Sequence, residues 1–232
     1  MKQPLLLLHG ALASEAQLKP LARELSAFYS VHTFSFGGHG GRPLDPAGLS
    51  MEGLAAEVSR FIEDKGLPPV HVFGYSMGGY AALVAALAAP GTIRSITTLG
   101  TKLDWTPATA AAETRFLDPA TMREKVPAFA AQLEQLHAPT PLPDLLAATA
   151  AMMRGLGAAP QLTPANLATL NIPVQILVGE LDKTAGVEAS RLFADYIPHA
   201  TFEILMNTPH PLERVNPNLL VERIARFIET AT

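Results

Sequence analysis

An α/β fold on a largely parallel sheet of about six strands, flanked by helices, is what this sequence predicts. Three observations carry the prediction. Short apolar runs recur at residues 5–8, 29–35, 70–73, 93–99, 174–178 and 201–205. Most of them are continuous rather than alternating in polarity, as strands covered on both faces are. Helical patterns lie between them and supply the crossovers that parallel pairing requires.

The helices can be justified in order. Leu18, Leu21, Ala22, Leu25 and Phe28 form one apolar stripe behind Ser14, whose hydroxyl can cap a helix, with Gln17 three residues on as its capping-box partner. Ser50 caps a second helix that buries Leu54, Val58, Phe61 and Ile62 and ends near Gly66. A third, residues 77–89, is nearly all apolar and stops at Pro90-Gly91, as expected of a helix packed on the sheet centre. The last, residues 217–229, turns Leu220, Ile224, Phe227 and Ile228 to one side and begins with Pro217, whose missing N–H costs nothing in a first turn.

Residues 104–165 break the rhythm. They lack a strand pattern and carry prolines at 107, 119, 127, 139, 141, 143 and 160. Helices over 108–117, 120–137 and 142–155 are expected, with Pro127 bending or dividing the middle one. The segment is too long for an ordinary crossover and reads as a small helical cap inserted into a core made of residues 1–103 and 166–232.

Composition narrows the function classes. At 232 residues the chain suits one well-buried core, and 48% hydrophobic residues argue against disorder. Charged residues are 16%, with 17 Lys+Arg against 21 Asp+Glu, a poor basis for binding nucleic acid or anionic membranes. Cysteine is absent, which removes thiolate nucleophiles, thiolate metal sites and disulfides together. No H-E-x-x-H or phosphate-loop pattern occurs, so neither metal nor cofactor is expected. The four leucines after Pro4 are too few for a signal sequence, and a cytoplasmic protein, monomer or homodimer, is expected.

The most informative stretch runs from Pro69 to Leu83: a strand, a sharp turn and a helix in succession. Its centre, Gly74-Tyr75-Ser76-Met77-Gly78, matches G-x-S-x-G. Glycines two residues either side of the serine allow a turn where larger side chains would collide with backbone, and Ser76 is left at its tip. A serine hydroxyl is inert near neutral pH until a base takes its proton. Of the seven histidines, His71 and His32 fall in strands, His137 in the insertion, and His199 at the opposite end of the sheet. His210 follows the last strand by a short loop, at the carboxyl edge where open parallel sheets bind ligands. A carboxylate must orient that imidazole. The strand at 174–178 opens into Glu180 and Asp182, with Asp104 a further possibility. The N–H of Met77 and that of Ala11 or Leu12, after His9-Gly10, can receive an oxyanion, Ala11 being favoured.

With these residues in hand, the chain resembles the alpha/beta-hydrolase superfamily, in particular its small cofactor-free esterase and lipase-like members with a helical cap. The resemblance implies that His9-Gly10-Ala11-Leu12 is an oxyanion loop, Ser76 the nucleophile, Asp182 rather than Glu180 the acid, and His210 the base. Ser35-Phe36-Gly37-Gly38-His39-Gly40-Gly41 keeps the glycines of a common family turn and lacks its aspartate. His210 is enclosed as Pro209-His210-Pro211, where a Gly-His pair is commoner in the family.

The implied activity is hydrolysis of a small-molecule carboxylic ester through an acyl-enzyme, with an apolar acyl group favoured because Arg115, Arg123, Lys125 and Arg154 are the only basic residues of the insertion. Candidate substrate contacts are Leu12, Tyr75, Trp105, Phe116, Met152 and Met153. Two other enzyme classes share the scaffold: a menaquinone-pathway synthase, whose usual arginine is replaced by Tyr80, and a carbon–carbon bond hydrolase. A ligand-binding receptor without turnover is the alternative outside enzymes.

Overall fold

The computed structural model describes residues 2–45 and 47–231; Met1, Pro46 and Thr232 lie outside the described residues. Strands β1 (Pro4–Leu8), β2 (Ser30–Thr33), β3 (Val70–Tyr75), β4 (Ile93–Leu99), β5 (Val174–Gly179) and β6 (Ala200–Leu205) form one sheet in the order β2-β1-β3-β4-β5-β6. Every pairing is parallel, from Leu5 opposite Val31 at one edge to Leu177 opposite Glu203 at the other. The chain runs outward from β1 to β2, then crosses back to place β3 on the other side of β1. Strand order therefore reverses between β1 and β3. The crevice beyond their carboxyl ends is where such sheets bind ligands.

Alternation of side chains divides the core into two layers. Leu5 and Leu7 pack on one face with α1 (Glu15–Leu25) and the carboxyl-terminal helix α10 (Pro217–Thr230). Leu6 and Leu8 point the other way, toward α2 (Met51–Asp64), α3 (Met77–Ala88) and the later α9 (Val187–Ala194). All of β3 is buried, as its mostly apolar sequence requires, and its one imidazole, His71, meets Ser95 Oγ at 2.7 Å.

Between β4 and β5 lie α4 (Pro107–Thr114), α5 (Pro119–Lys125), α6 (Pro127–His137), α7 (Leu142–Ala158) and α8 (Pro164–Leu167), a small helical subdomain. The helix expected over 120–137 is two helices. Val126, at φ −140° and ψ 58°, leaves the helical region because the ring of Pro127 crowds it. Met122, Ala130, Leu133, Leu142 and Leu146 give this subdomain its own apolar cluster.

Two local expectations need correction. Phe28 lies beyond the end of α1 and is 60% exposed, so it is no part of the buried stripe. Ser14 caps α1 by accepting from Ala16 N, and Gln17 does not reach back to it; the Gln17 amide donates instead to Glu213 Oε1 at 2.9 Å. Ser50 caps α2 as expected, accepting from Gly53 N at 3.0 Å.

Candidate active site

The turn from β3 into α3 places Ser76 at φ 50°, ψ −114°, a region that L residues occupy only under constraint. The constraint is close backbone packing. A Cβ on Gly78 would lie 2.6 Å from the Leu8 carbonyl oxygen, and one on Gly74 would strike the backbone of Gly79. Two further bonds tie the turn to the end of β4: Ser76 N donates to Leu99 O at 2.9 Å, and Thr101 Oγ1 donates to Ser76 O at 3.0 Å. Ser76 is the one residue between Val70 and Leu83 that is not buried, and its hydroxyl does not cap the helix it precedes.

His210 and Asp182 meet from the loops after β6 and β5. The His210 Nδ1–H donates to Asp182 Oδ2 at 2.8 Å, which leaves Nε2 as the acceptor of the neutral ring. Asp182 is buried, and its other oxygen accepts from Thr184 N and Ala185 N, each at 2.9 Å. The carboxylate is thus fixed before it orients the ring. Glu180 accepts from Asn207 N and Asp104 pairs with Lys102, so neither competes for the imidazole. The flanking prolines do not displace His210, because the buried Tyr75 hydroxyl donates to its carbonyl at 3.0 Å. Gly100 lies beneath the pair at φ +61°, where a Cβ would stand 2.9 Å from Asp182 Oδ2 and 3.2 Å from His210 Nδ1.

Ser76 and His210 are thereby brought to one end of the sheet through Tyr75 and Gly100. Among the described residues the Ser76 hydroxyl forms no hydrogen bond, to His210 or otherwise. Such links commonly close only when substrate is bound.

The loop after β1 approaches from the other side of the strand reversal. Ala13 N donates to Gly10 O, and Leu12 takes φ 57°, so the chain turns sharply at Ala11. Ala11 and Met77 line one cavity with Ser76. Met77 opens α3, so its N–H lacks a helical partner.

Support for this loop comes from a row of histidines. His9 Nε2 accepts from Phe36 N at 3.0 Å, the His9 and His39 rings lie 5.3 Å apart, and those of His39 and His137 lie 5.5 Å apart. His137 Nε2 bonds Leu12 O at 3.1 Å and its Nδ1 accepts from Gly40 N. Burial pulls His9 down to about 3, with His39 acting in the same direction, and burial brings His39 to about 4. Burial lowers His137 as well, and its Nδ1, which accepts from Gly40 N, carries no proton. Where the family turn carries an aspartate, Ser35 Oγ accepts from Glu15 N.

Of the expected substrate contacts, Trp105, Met152 and Met153 line the Ser76 cavity. The other three do not. Leu12 packs on the cluster of Met122 and Leu133, and Tyr75 is committed to the His210 carbonyl. Phe116 is 64% exposed beneath the Arg115 guanidinium, because α4 ends at Thr114, before it. Sequence reasoning missed Met51, Tyr80, Lys102, Glu113, Leu156 and Thr184, which complete the lining. The position of Lys102 just past β4 was a usable signal. Glu113 carried none, since only the packing of α4 turns it inward.

The chain belongs to the alpha/beta hydrolase fold family, whose model matches residues 3–140. An esterase from Thermogutta terrifontis superposes with a TM-score of 0.80 at 21% identity, covering 99% of this chain and 90% of that one. The enol-lactonase from Burkholderia xenovorans LB400 gives 0.77 at 17% identity, covering 99% and 92%. In sequence, a pimeloyl-acyl-carrier-protein methyl ester esterase from Aeromonas salmonicida is 31% identical over 96 residues, 41% of this chain and 36% of that protein. The chain spans between 19% and 36% of the length of the curated relatives it matches. No helix among the described residues is long and apolar enough to cross a membrane.

Proposed function

We propose that this chain hydrolyses small carboxylic esters through an acyl-enzyme on Ser76. The observation that carries the reading is a strained serine with an uncommitted hydroxyl at the strand reversal, at the same carboxyl edge of the sheet as a histidine already oriented by a buried carboxylate. His210 Nε2 takes the hydroxyl proton as Ser76 Oγ attacks the ester carbonyl. The Met77 and Ala11 N–H groups receive the oxyanion. The imidazolium, stabilised by Asp182, gives its proton to the departing alcohol. Water then attacks the acyl-serine by the same route, restoring the hydroxyl and releasing the acid.

The cavity at Ser76 is narrow, about 40 Å³, which favours a short acyl or alcohol branch. Met51, Met152, Met153 and Leu156 support an apolar group against one wall. Esterase and lactonase activities of the proteins this chain resembles support the same reaction type. A fluorophosphonate probe tests the reading: one adduct on Ser76 is expected by mass spectrometry, absent in Ser76→Ala and strongly slowed in His210→Ala. Ester turnover graded from acetyl to long chains should favour the short end. A folded protein that takes up no probe and hydrolyses no ester overturns the proposal.

A further inference from the structure

Two charged side chains line the Ser76 cavity, Lys102 and Glu113. Lys102 is committed. Its ammonium donates to Asp104 Oδ1 at 2.9 Å and to Thr184 O at 3.2 Å, it lies 5.6 Å from the centre of the Trp105 ring, and its side chain is 10% exposed. Its charge is already answered by Asp104, so it is poorly placed to attract a substrate anion.

Glu113 is in the opposite condition. Among the described residues no donor reaches its carboxyl group, while the charges of Lys102, His210, Asp104 and Asp182 all act on it. Packing sets its direction. A Cβ on Gly157 would lie 2.6 Å from Ala110 Cβ and 2.8 Å from Thr106 O, so α4 and α7 touch at this glycine. Glu113 follows Ala110 by three residues, on the same side of α4, and joins Met152, Met153 and Leu156 of α7 in the cavity wall. Burial raises its pKa, as expected of a carboxyl facing methionines with half its water removed. Lys102, Asp104 and Glu113 together set one cation against two carboxylates.

Taking the ester-hydrolase reading as its basis, we infer that Glu113 is a specificity-determining residue: its unpartnered carboxylate selects esters that carry a positive charge on one branch. An ammonium group meets an acceptor with all its lone pairs open, and an anionic branch meets repulsion.

Two isosteric pairs separate charge from shape. Acetylcholine and 3,3-dimethylbutyl acetate differ in charge on the alcohol branch; ethyl 3-aminopropanoate and ethyl butanoate differ on the acyl branch. Binding is measured by NMR titration in the Ser76→Ala background, where turnover does not interfere, with and without Glu113→Gln. In at least one pair the cationic ester is expected to bind about ten-fold more tightly than its neutral partner, and Glu113→Gln to cut that preference to about two-fold or less. Equal binding in both pairs, or a preference that survives Glu113→Gln, overturns the inference. Turnover by the chain with Ser76 intact is scored separately. A charge preference in binding without hydrolysis leaves Glu113 in its role and sinks the esterase reading. Hydrolysis without charge preference does the reverse.

Discussion

Acidification strikes the loop after β1 through its histidine row. His9 and His39 are buried and neutral, with pKa values of about 3 and about 4 against an ordinary 6.5. A depressed histidine pKa means that the unfolded chain binds more protons, so stability rises with pH and falls as pH drops below 6.5. Each group costs about 1.4 kcal/mol per pH unit over that window until its folded pKa is reached. At pH 5 the pair therefore removes about 4 kcal/mol, a large share of the 5–15 kcal/mol typical of a domain. Urea unfolding followed by the single tryptophan, Trp105, reads this directly. With a slope of about 3 kcal/mol per molar, suited to a chain of this size, the pair lowers the midpoint by about 1.3 M between pH 7.5 and 5, and His71, also brought to about 4 by burial, adds to the fall. Below about pH 4 the loss should flatten as His39 and then His9 take up protons in the folded state. His39→Gln should reduce the pH slope by about 1.4 kcal/mol per unit whatever it does to stability at pH 7.5. A midpoint that holds steady or rises from pH 7.5 to 5 would refute the reasoning.

Three substitutions test the geometry around Ser76. Asp182→Asn keeps the shape and removes the charge that orients His210, so ester kcat should fall about 10³–10⁴-fold with an unaltered circular dichroism spectrum; a loss under ten-fold counts against the relay. Gly100→Ala drives a Cβ between Asp182 and His210 at a positive φ, and should lower both kcat, by about ten-fold or more, and stability, by about 1–3 kcal/mol in denaturant titration. Tyr75→Phe deletes the hydroxyl that holds the His210 carbonyl and should lower Tm by about 2–4 °C, the effect of one hydrogen bond, in a thermal scan.

The site was unevenly legible before the structure. The serine turn declared itself because steric necessity leaves a local mark: Gly74 and Gly78 are required by backbone approaches under 3 Å, whatever the rest of the chain does. Asp182 could be separated from Glu180 only by resemblance. Both follow β5, and the difference arises where Thr184 and Ala185 donate to one and Asn207 to the other. Phe116 looked like a pocket residue by its bulk, yet α4 ends before it and leaves it in solvent.

What the sequence determined by itself is the sheet, the serine turn and the order of the loops that meet above it. Those follow from periods of two and 3.6 residues and from glycine spacing, both short-range properties of the chain. The tertiary structure alone decided which charges line the cavity at Ser76. Glu113 enters the cavity only because Gly157 lets α4 settle against α7, and Lys102 is neutralised only because Asp104 and Thr184 come within reach. Contacts between elements distant in sequence depend on how those elements pack, and no local pattern encodes them.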